Sequence, residues 1–479
     1  MKANLLRNLF ALVLCLLLLP ALSAGNASAA APKLIDQGEC GENLTWTLDS
    51  EGTLTVSGTW RMTSFNSAAP WYLDRDSIKA VVIEPGVTSI GKGAFSQCRS
   101  LTRVSLPDSL EKIEQSAFSG CENLPEIVLP DSVSSLGNYA FSNCHALKSV
   151  TLSNRLSSIP MQAFMRCYTL ETVTIPDSVK SLGWGAFQDC RKLKTAVLGN
   201  GVKTIEEKAF QDCSNLQSVT AGNGLQSIGK EAFMHCEKLH TVTVGNSLQS
   251  IGDSAFNNCA SLTEITLPGS LSVLMRDLFT NKLTDVYFGG TEEQWAALIS
   301  STVPYGNNEE LKNANIHYVT ILYYDGNGGS GYLPLPEILE PGSEITLPEN
   351  QWTPPVHKQF SAWTCGDREC LPGETIQVDK PMTVSAKWTE EDHWLDYLGR
   401  YRDDYSAQVT AFSRENAVVW CAAYDDSGRM LEAKYQPFSG TEPAFCEFRF
   451  DSADFTELRA FLLSGDGVPL CGSIRARDN

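Results

Sequence analysis

From Leu101 onward the apolar positions recur in a frame 23 residues long: Leu101–Asn123 reads LTRVSLPDSLEKIEQSAFSGCEN and Leu170–Lys192 reads LETVTIPDSVKSLGWGAFQDCRK. The shared pattern is L-x-x-V-x-L-P-x-S-V-x-x-I-x-x-x-A-F-x-x-C. Its V-x-L core alternates at period two, which predicts a half-buried strand. A Pro-Asp or Gly-Asn pair (Pro107-Asp108, Pro130-Asp131, Gly199-Asn200, Gly245-Asn246) ends that strand with turn chemistry. Apolar residues three apart (Val179 and Leu182, Val202 and Ile205) then turn inward again. A short helical turn is expected to bury Ala-Phe before Cys-x-x-Leu leads into the next strand. Cysteines stand at Cys98, Cys121, Cys144, Cys167, Cys190, Cys213, Cys236 and Cys259, and a phenylalanine lies three residues ahead of each, from Phe95 to Phe256. The register continues to Phe279, where the cysteine drops out. A fixed period of this length means one unit stacked on copies of itself, since no single unit can bury this many apolar groups alone. The strands are therefore expected to run parallel, roughly 4.8 Å apart, with about ten coils spanning roughly 45 Å.

This frame resembles the BspA-type leucine-rich repeat of bacterial surface proteins, in which Ala-Phe and Cys occupy these places. The resemblance covers 78–318 and implies a leucine-rich repeat solenoid, an α/β repeat with parallel β strands. Ahead of it, Leu44–Leu48 and Thr53–Ser57 flank an Asp-Ser-Glu-Gly turn, which reads as a hairpin. The segment 30–77 is similar to the one that precedes such repeats, and it would cover the first coil. Gly289–Tyr318 breaks the period and looks like the irregular coil that closes them; exposed terminal edges invite aggregation, so a cap at each end is expected.

Beyond Tyr318 two small all-β modules are expected. In 319–389 the landmarks YYDGNGG, FSAW (Phe360–Trp363), LPGETI and VSAKW resemble the internalin-type B repeat. A formal G-x-G-x-x-G lies here (Gly326, Gly328, Gly331), but a dinucleotide site needs a helix to begin at that point. Tyr332-Leu333-Pro334-Leu335-Pro336 follows instead. Residues 390–404 read as a linker or short helix, and 405–479 as a small β-sandwich-like module.

The outward strand positions form a sheet of hydroxyls. One row holds Ser105, Val128, Thr151, Thr174, Val197, Thr220, Thr243, Thr266 and Tyr287; the other holds Arg103, Glu126, Ser149, Thr172, Thr195, Ser218, Thr241, Glu264 and Asp285. Threonine suits any solvated pleated face, yet solenoids characteristically offer such faces for docking. The candidate partner-binding residues are Thr151, Thr172, Thr174, Thr195, Val197, Ser218, Thr220, Thr241 and Thr243.

The N-terminus has Lys2 and Arg7, an apolar run Leu9–Leu22, and Ala27-Ser28-Ala29, the three regions of a secretory signal peptide cleaved after Ala29. The apolar run is short for a membrane span and no second one occurs, so no span is expected in the mature chain. The chain ends Ala476-Arg477-Asp478-Asn479, and no covalent wall-sorting signal is expected there. Formal charge is −19. Losing the leader removes two cations and leaves 35 bases against 56 acids. Such a polyanion does not seek nucleic acid by bulk attraction.

Fifteen cysteines in an exported chain raise the question of disulfides. Equivalent residues of stacked coils point the same way, whereas a disulfide needs converging Cβ vectors. The ladder thiols are therefore expected to be buried, reduced and packed as small hydrophobes. His145 and His235 flank only two of the eight rungs, too few for a metal array. Cys365 and Cys370 are the best disulfide candidates, and Cys421, Cys446 and Cys471 are expected in core strands. There is no H-E-x-x-H, G-x-S-x-G or C-x-x-C among the motifs, and no catalytic, cofactor or metal residue is assigned. The expected function is that of a secreted or cell-surface, non-catalytic interaction protein, adhesin-like, with an extracellular protein or glycoconjugate as partner. The alternatives are a structural spacer or envelope-assembly component, and a carbohydrate-active enzyme with an unrecognised site.

Overall fold

The computed structural model describes residues 32–65, 68–279, 283–301, 308–329, 335–401, 406–413, 417–425, 429–438, 443–450, 457–464, 469–470 and 474–477. The signal segment 1–29, Gly331 and Cys471 lie outside the described residues.

The repeat frame becomes a coil with a longer strand, a two-residue strand and a turn-built third side. The V-x-L segments form parallel ladders in which every partner is one period away: Thr172 faces Thr195, Thr195 faces Ser218 and Ser218 faces Thr241. The second inward pair of each unit forms a parallel ladder of its own, from Ser158–Ile159 through Ser181–Leu182 and Thr204–Ile205 to Val273–Leu274. The parallel-strand solenoid expected from the period is what the chain builds.

The third side departs from expectation in detail. It is a succession of hydrogen-bonded turns rather than a helical turn, because each coil places two residues in the left-handed region. One lies two positions before the phenylalanine (Gln162, φ 50°; Lys208, φ 62°) and the other just before the cysteine (Arg166, φ 58°; Asp212, φ 61°). A left-handed residue cannot continue a right-handed helix. These turns are tied coil to coil: the Phe118 N–H donates to the Ala140 carbonyl (2.8 Å), and Phe187 to Ala209 (2.7 Å).

The core is one continuous apolar column. Phe95 through Phe256 are fully buried, with neighbouring rings stacked face to face at 5.2–5.5 Å between centroids. Beside them the ladder cysteines are buried free thiols. Each from Cys121 on donates its S–H to the carbonyl of the phenylalanine 26 residues earlier, as Cys121 does to Phe95 (3.2 Å) and Cys259 to Phe233 (3.1 Å). A small apolar group with one weak donor fits this corner.

Both ends are closed by groups that imitate the missing coil. Strands Leu34–Gly41, Leu44–Asp49 and Thr53–Gly58 form an antiparallel meander, and Thr53–Gly58 then pairs parallel with Ala80–Ile83 of the first coil. Leu34–Gly41 adds a strand that the sequence pattern did not mark. Trp71 takes the next place in the aromatic column: its ring stacks on Phe95 at 5.4 Å. Its indole N–H donates to the Ala94 carbonyl (2.7 Å), the position a preceding phenylalanine amide would fill. Trp46 and Phe65 meet Trp71 edge-on and end the stack.

At the other end the strand spacing becomes irregular, with Glu264 facing Asp285 and Asp285 facing Asn315. Helix Glu292–Ser301 starts with a reciprocal cap. Thr291 N–H donates to Gln294 Oε1 (2.8 Å) and Gln294 N–H to Thr291 Oγ1 (3.3 Å). Asn308, 2% exposed, accepts the Leu278 N–H on Oδ1 (3.1 Å) and donates from Nδ2 to the Met275 carbonyl (2.8 Å).

The strand Thr320–Asp325 follows the last rung, Asn315–Tyr318, after Val319 alone. It is the second strand of a five-stranded sheet ordered Glu337–Leu339, Thr320–Asp325, Met382–Glu390, Lys358–Cys365 and Arg368–Cys370, beside the ribbon Ser343–Thr346 and Thr375–Val378. Trp352, Trp363, Cys365, Cys370 and Val384 lie in its core, and both cysteines are free thiols. The final region has two sheets around one apolar cluster that includes Val409, Val419, Cys421, Cys446 and Leu462. Residues 390–404 are not a plain linker: His393–Tyr401 is a strand, paired antiparallel with Ser406–Ser413 along its length.

Candidate interaction surface

The outward residues of the long strands share one face because side chains alternate along a strand and every rung repeats the register. Thr151, Thr172, Thr174 and Thr241 are exposed, whereas Thr195, Val197, Ser218, Thr220 and Thr243 are half-buried. All nine lie on consecutive rungs between Ser149–Thr151 and Thr241–Thr243. Sequence reasoning thus identified which positions share the face but not which are covered.

The chain's own second module lies beside this face. Gly328, in the turn after strand Thr320–Asp325, lines one side of an open groove of about 820 Å³ on the strand face. The groove lining includes Ser149, Thr151, Thr172, Thr174 and Val197 of the strand face, the turn residues Asn154, Asp177 and Asn200 as a wall, and Gly328 of the module. Asp177 is the one charged residue of that lining. Gly326 and Gly328, part of the formal glycine motif, sit in this turn rather than at a helix start.

The wall is a ladder of turn residues one period apart. Asp131 Oδ1 accepts the Asn154 N–H (3.1 Å), Asp177 Oδ1 that of Asn200 (2.6 Å), and Asn200 Oδ1 that of Asn223 (3.1 Å). Two of its members also reach the module. Asn223 Nδ2 donates to the Tyr324 carbonyl (2.9 Å) and Asn246 Nδ2 to Thr383 Oγ1 (2.5 Å). These asparagines were legible only as turn formers.

Charge gathers at the far end of the face. His317 Nε2 lies 2.8 Å from Asp285 Oδ1, its ring stacked on Tyr287 at 4.9 Å. Hydrogen bonds from His317, Thr284 and Asn315 hold the Asp285 carboxyl below the usual carboxylate range. Among the described residues no three His, Cys, Asp or Glu side chains gather as a metal site would require, and no helix is long and apolar enough to cross a membrane.

Residues 71–194 and 180–294 match the family model of the BspA type Leucine rich repeat region, which is present in 6 copies. A search of curated proteins found no match. Among solved structures the chain is similar to a leucine-rich repeat protein from Eubacterium ventriosum ATCC 27560, at 22% identity, covering 52% of this chain and 95% of that one with a TM-score of 0.33. It is also similar to a leucine rich cell surface protein from Faecalibacterium prausnitzii A2-165 (22% identity, 57% and 98% covered, TM-score 0.29). A third likeness is to the T. pallidum Leucine Rich Repeat protein (25% identity, 42% and 91% covered, TM-score 0.29). The solenoid assignment rests on the strand ladders and the family match, and the repeat family suggests a protein-interaction role.

Proposed function

We propose that this chain is an exported, non-catalytic, adhesin-like protein that binds an extracellular protein or glycoconjugate through the strand face of its solenoid. The observation that carries this reading is the open groove of about 820 Å³ over Thr151, Thr172, Thr174 and Val197. It is an extended, hydroxyl-rich surface with a single carboxylate, so a partner can dock without stripping water from many ions. Thr195, Ser218, Thr220, Thr241 and Thr243 extend the same face. The repeat-family match of 71–294 supports an interaction role, and the leader-like segment supports export and presentation outside the cell. The division into 1–29, 30–77, 78–318, 319–389, 390–404 and 405–479 belongs to this proposal with His393–Tyr401 added as a strand, as does the likeness of 319–389 to the internalin-type B repeat.

The test is capture of extracellular-matrix proteins and glycans on an array by the mature full chain, compared with Thr151→Arg and Thr174→Arg. Both side chains point to solvent, so the variants should fold and lose capture at least about tenfold by placing bulk and charge in a central contact. Capture unchanged by both arginines removes the strand face as the binding site and favours a spacer.

A further inference from the structure

The row that opens the long strands is a ladder of charged residues. The Glu171 N–H donates to the Lys148 carbonyl (3.3 Å), and the Lys194 N–H donates to the Glu171 carbonyl (2.8 Å). Each stands immediately before a strand-face residue, Ser149, Thr172 and Thr195 in turn. Asp177 and Asn200 follow the other end of the same strands, so this row edges the groove on the side opposite their wall. Lys148, Glu171 and Lys194 are exposed, and so is Lys192 beside them.

Three ammonium groups share one carboxylate here. Lys194 Nζ lies 2.8 Å from Glu171 Oε2. That hydrogen bond, with the charges of Lys192 and Lys148, holds the Glu171 carboxyl below the usual carboxylate range. Among the described residues neither Lys148 nor Lys192 forms an ion pair, whereas the nearby Arg191 and Arg166 are engaged by Asp189 at 2.7 and 3.6 Å. On the rungs to either side acids match the bases: Glu122 and Glu126 stand with Arg99 and Arg103, and Glu237 and Glu264 with Lys238. The positive margin therefore coincides with the groove rungs, in a chain whose formal charge is −19.

Such a margin selects an anionic partner, and the groove lining decides its class. Protein partners take most of their affinity from aromatic and arginine anchors seated in pockets. Among the described residues no aromatic or arginine side chain lines this groove. Its polar lining is built on Ser149, Thr151, Thr172, Thr174, Asn154 and Asn200, hydroxyls and amides that both donate and accept as sugar hydroxyls do. A lysine ammonium is a point charge on a flexible stem with three donors, suited to sulfate or carboxylate groups spaced along a sugar chain. An exposed pair such as Lys194 and Glu171 contributes little, so Lys194 is available to a ligand.

We propose that the ligand of the strand-face groove is an acidic polysaccharide, a sugar chain bearing sulfate or carboxylate groups, lying along Lys148, Lys192 and Lys194. This names the ligand class of the partner site proposed above and rests on that reading.

The test titrates the mature full chain with heparin and with uncharged dextran. Heparin should bind at least about tenfold more tightly, and should lose at least about tenfold between about 50 and 200 mM salt. Combining Lys148→Gln, Lys192→Gln and Lys194→Gln should weaken heparin binding at least about tenfold with the unfolding midpoint unchanged, since all three side chains are exposed. Lys180→Gln with Lys203→Gln, exposed lysines ahead of the short strands, should leave it intact. Equal losses from the two sets overturn the proposal, as does dextran binding as tight as that of heparin. Polyglutamate bound as tightly as heparin overturns the sugar class. Thr174→Arg separates this inference from the reading beneath it, because a chain seated in the groove meets the added bulk and binds more weakly despite the added cation. If heparin follows the lysines yet binds Thr174→Arg as well or better, the margin stands as a polyanion site and the groove as its seat falls. If the lysine variant binds heparin unchanged while Thr174→Arg loses array capture, the groove stands and the acidic ligand falls.

Discussion

The Sγ of Cys190 donates a hydrogen bond to the carbonyl oxygen of Phe164, 3.2 Å away in the preceding coil. The same carbonyl also accepts the Cys167 N–H at 3.4 Å. The thiol is thus a second donor to an oxygen that already has one, and it fills a fully buried corner. Cys190→Ala should therefore cost mainly the cavity left by the sulfur, about 1–2 kcal/mol, without orphaning the carbonyl. Urea midpoints of the variant and parent check this, and a loss above about 4 kcal/mol would show that the thiol bond carries more than packing.

The ladder thiols also predict an alkaline limit. Burial pushes Cys98, Cys144 and Cys259 up to about 12 and raises the other ladder thiols in the same direction. The native state then holds protons that the unfolded chain releases once pH passes the ordinary thiol value. Stability is complete below about pH 8.5 and falls as pH rises toward 12, by up to about 1.4 kcal/mol per thiol per pH unit. Thermal unfolding at pH 7, 9 and 10.5 should show the midpoint already lower at pH 9 and falling more steeply between pH 9 and 10.5. A flat profile through pH 10.5 would contradict buried, protonated thiols.

Phe187 stacks on Phe164 and Phe210, each 5.3 Å away. Among the described residues, Phe279 has Phe256 alone as a stacking partner, at 5.6 Å. Phe187→Ala should cost about 3–5 kcal/mol, and Phe279→Ala about 1 kcal/mol less or better, because relaxation is easier beside the end coil. Equal losses in chemical denaturation would argue against nearest-neighbour stacking.

Asn308 stands between the Leu278 N–H and the Met275 carbonyl, groups whose counterparts one coil earlier, Ala255 and Gly252, bond each other directly at 3.3 Å. Asn308→Ala either orphans both or lets the turn tighten. The expected cost is about 1–3 kcal/mol, with the lower figure if the turn recloses. Calorimetry reads the loss, and hydrogen exchange should place it at the last coil. An unchanged midpoint would mean the amide is replaceable by water.

Much of the fold was legible because a solenoid imposes the same chemical demand at every coil. Phe164, Cys167 and Leu170 recur one period later as Phe187, Cys190 and Leu193, all of them fully buried. The outward partners Thr172 and Thr195 could be placed on one face by parity alone. The sequence by itself therefore determined the coil, its inward residues and the shared face of the candidate site. Only the tertiary structure decided the features that occur once or join distant segments. Trp71 and Asn308 end the column without any periodic mark. Gln162 and Arg166 take left-handed conformations because stacking enforces the turn, with no glycine to announce it. Asn200 and Asn223 are the same residue at the same repeat position, yet of the two only Asn223 has a described bond to the module. That contact depends on where Tyr324 arrives 101 residues later, which a one-period pattern does not encode. Thr174 and Thr220 share a repeat position, yet one is exposed and the other half-buried, because exposure depends on what surrounds each rung in the folded chain.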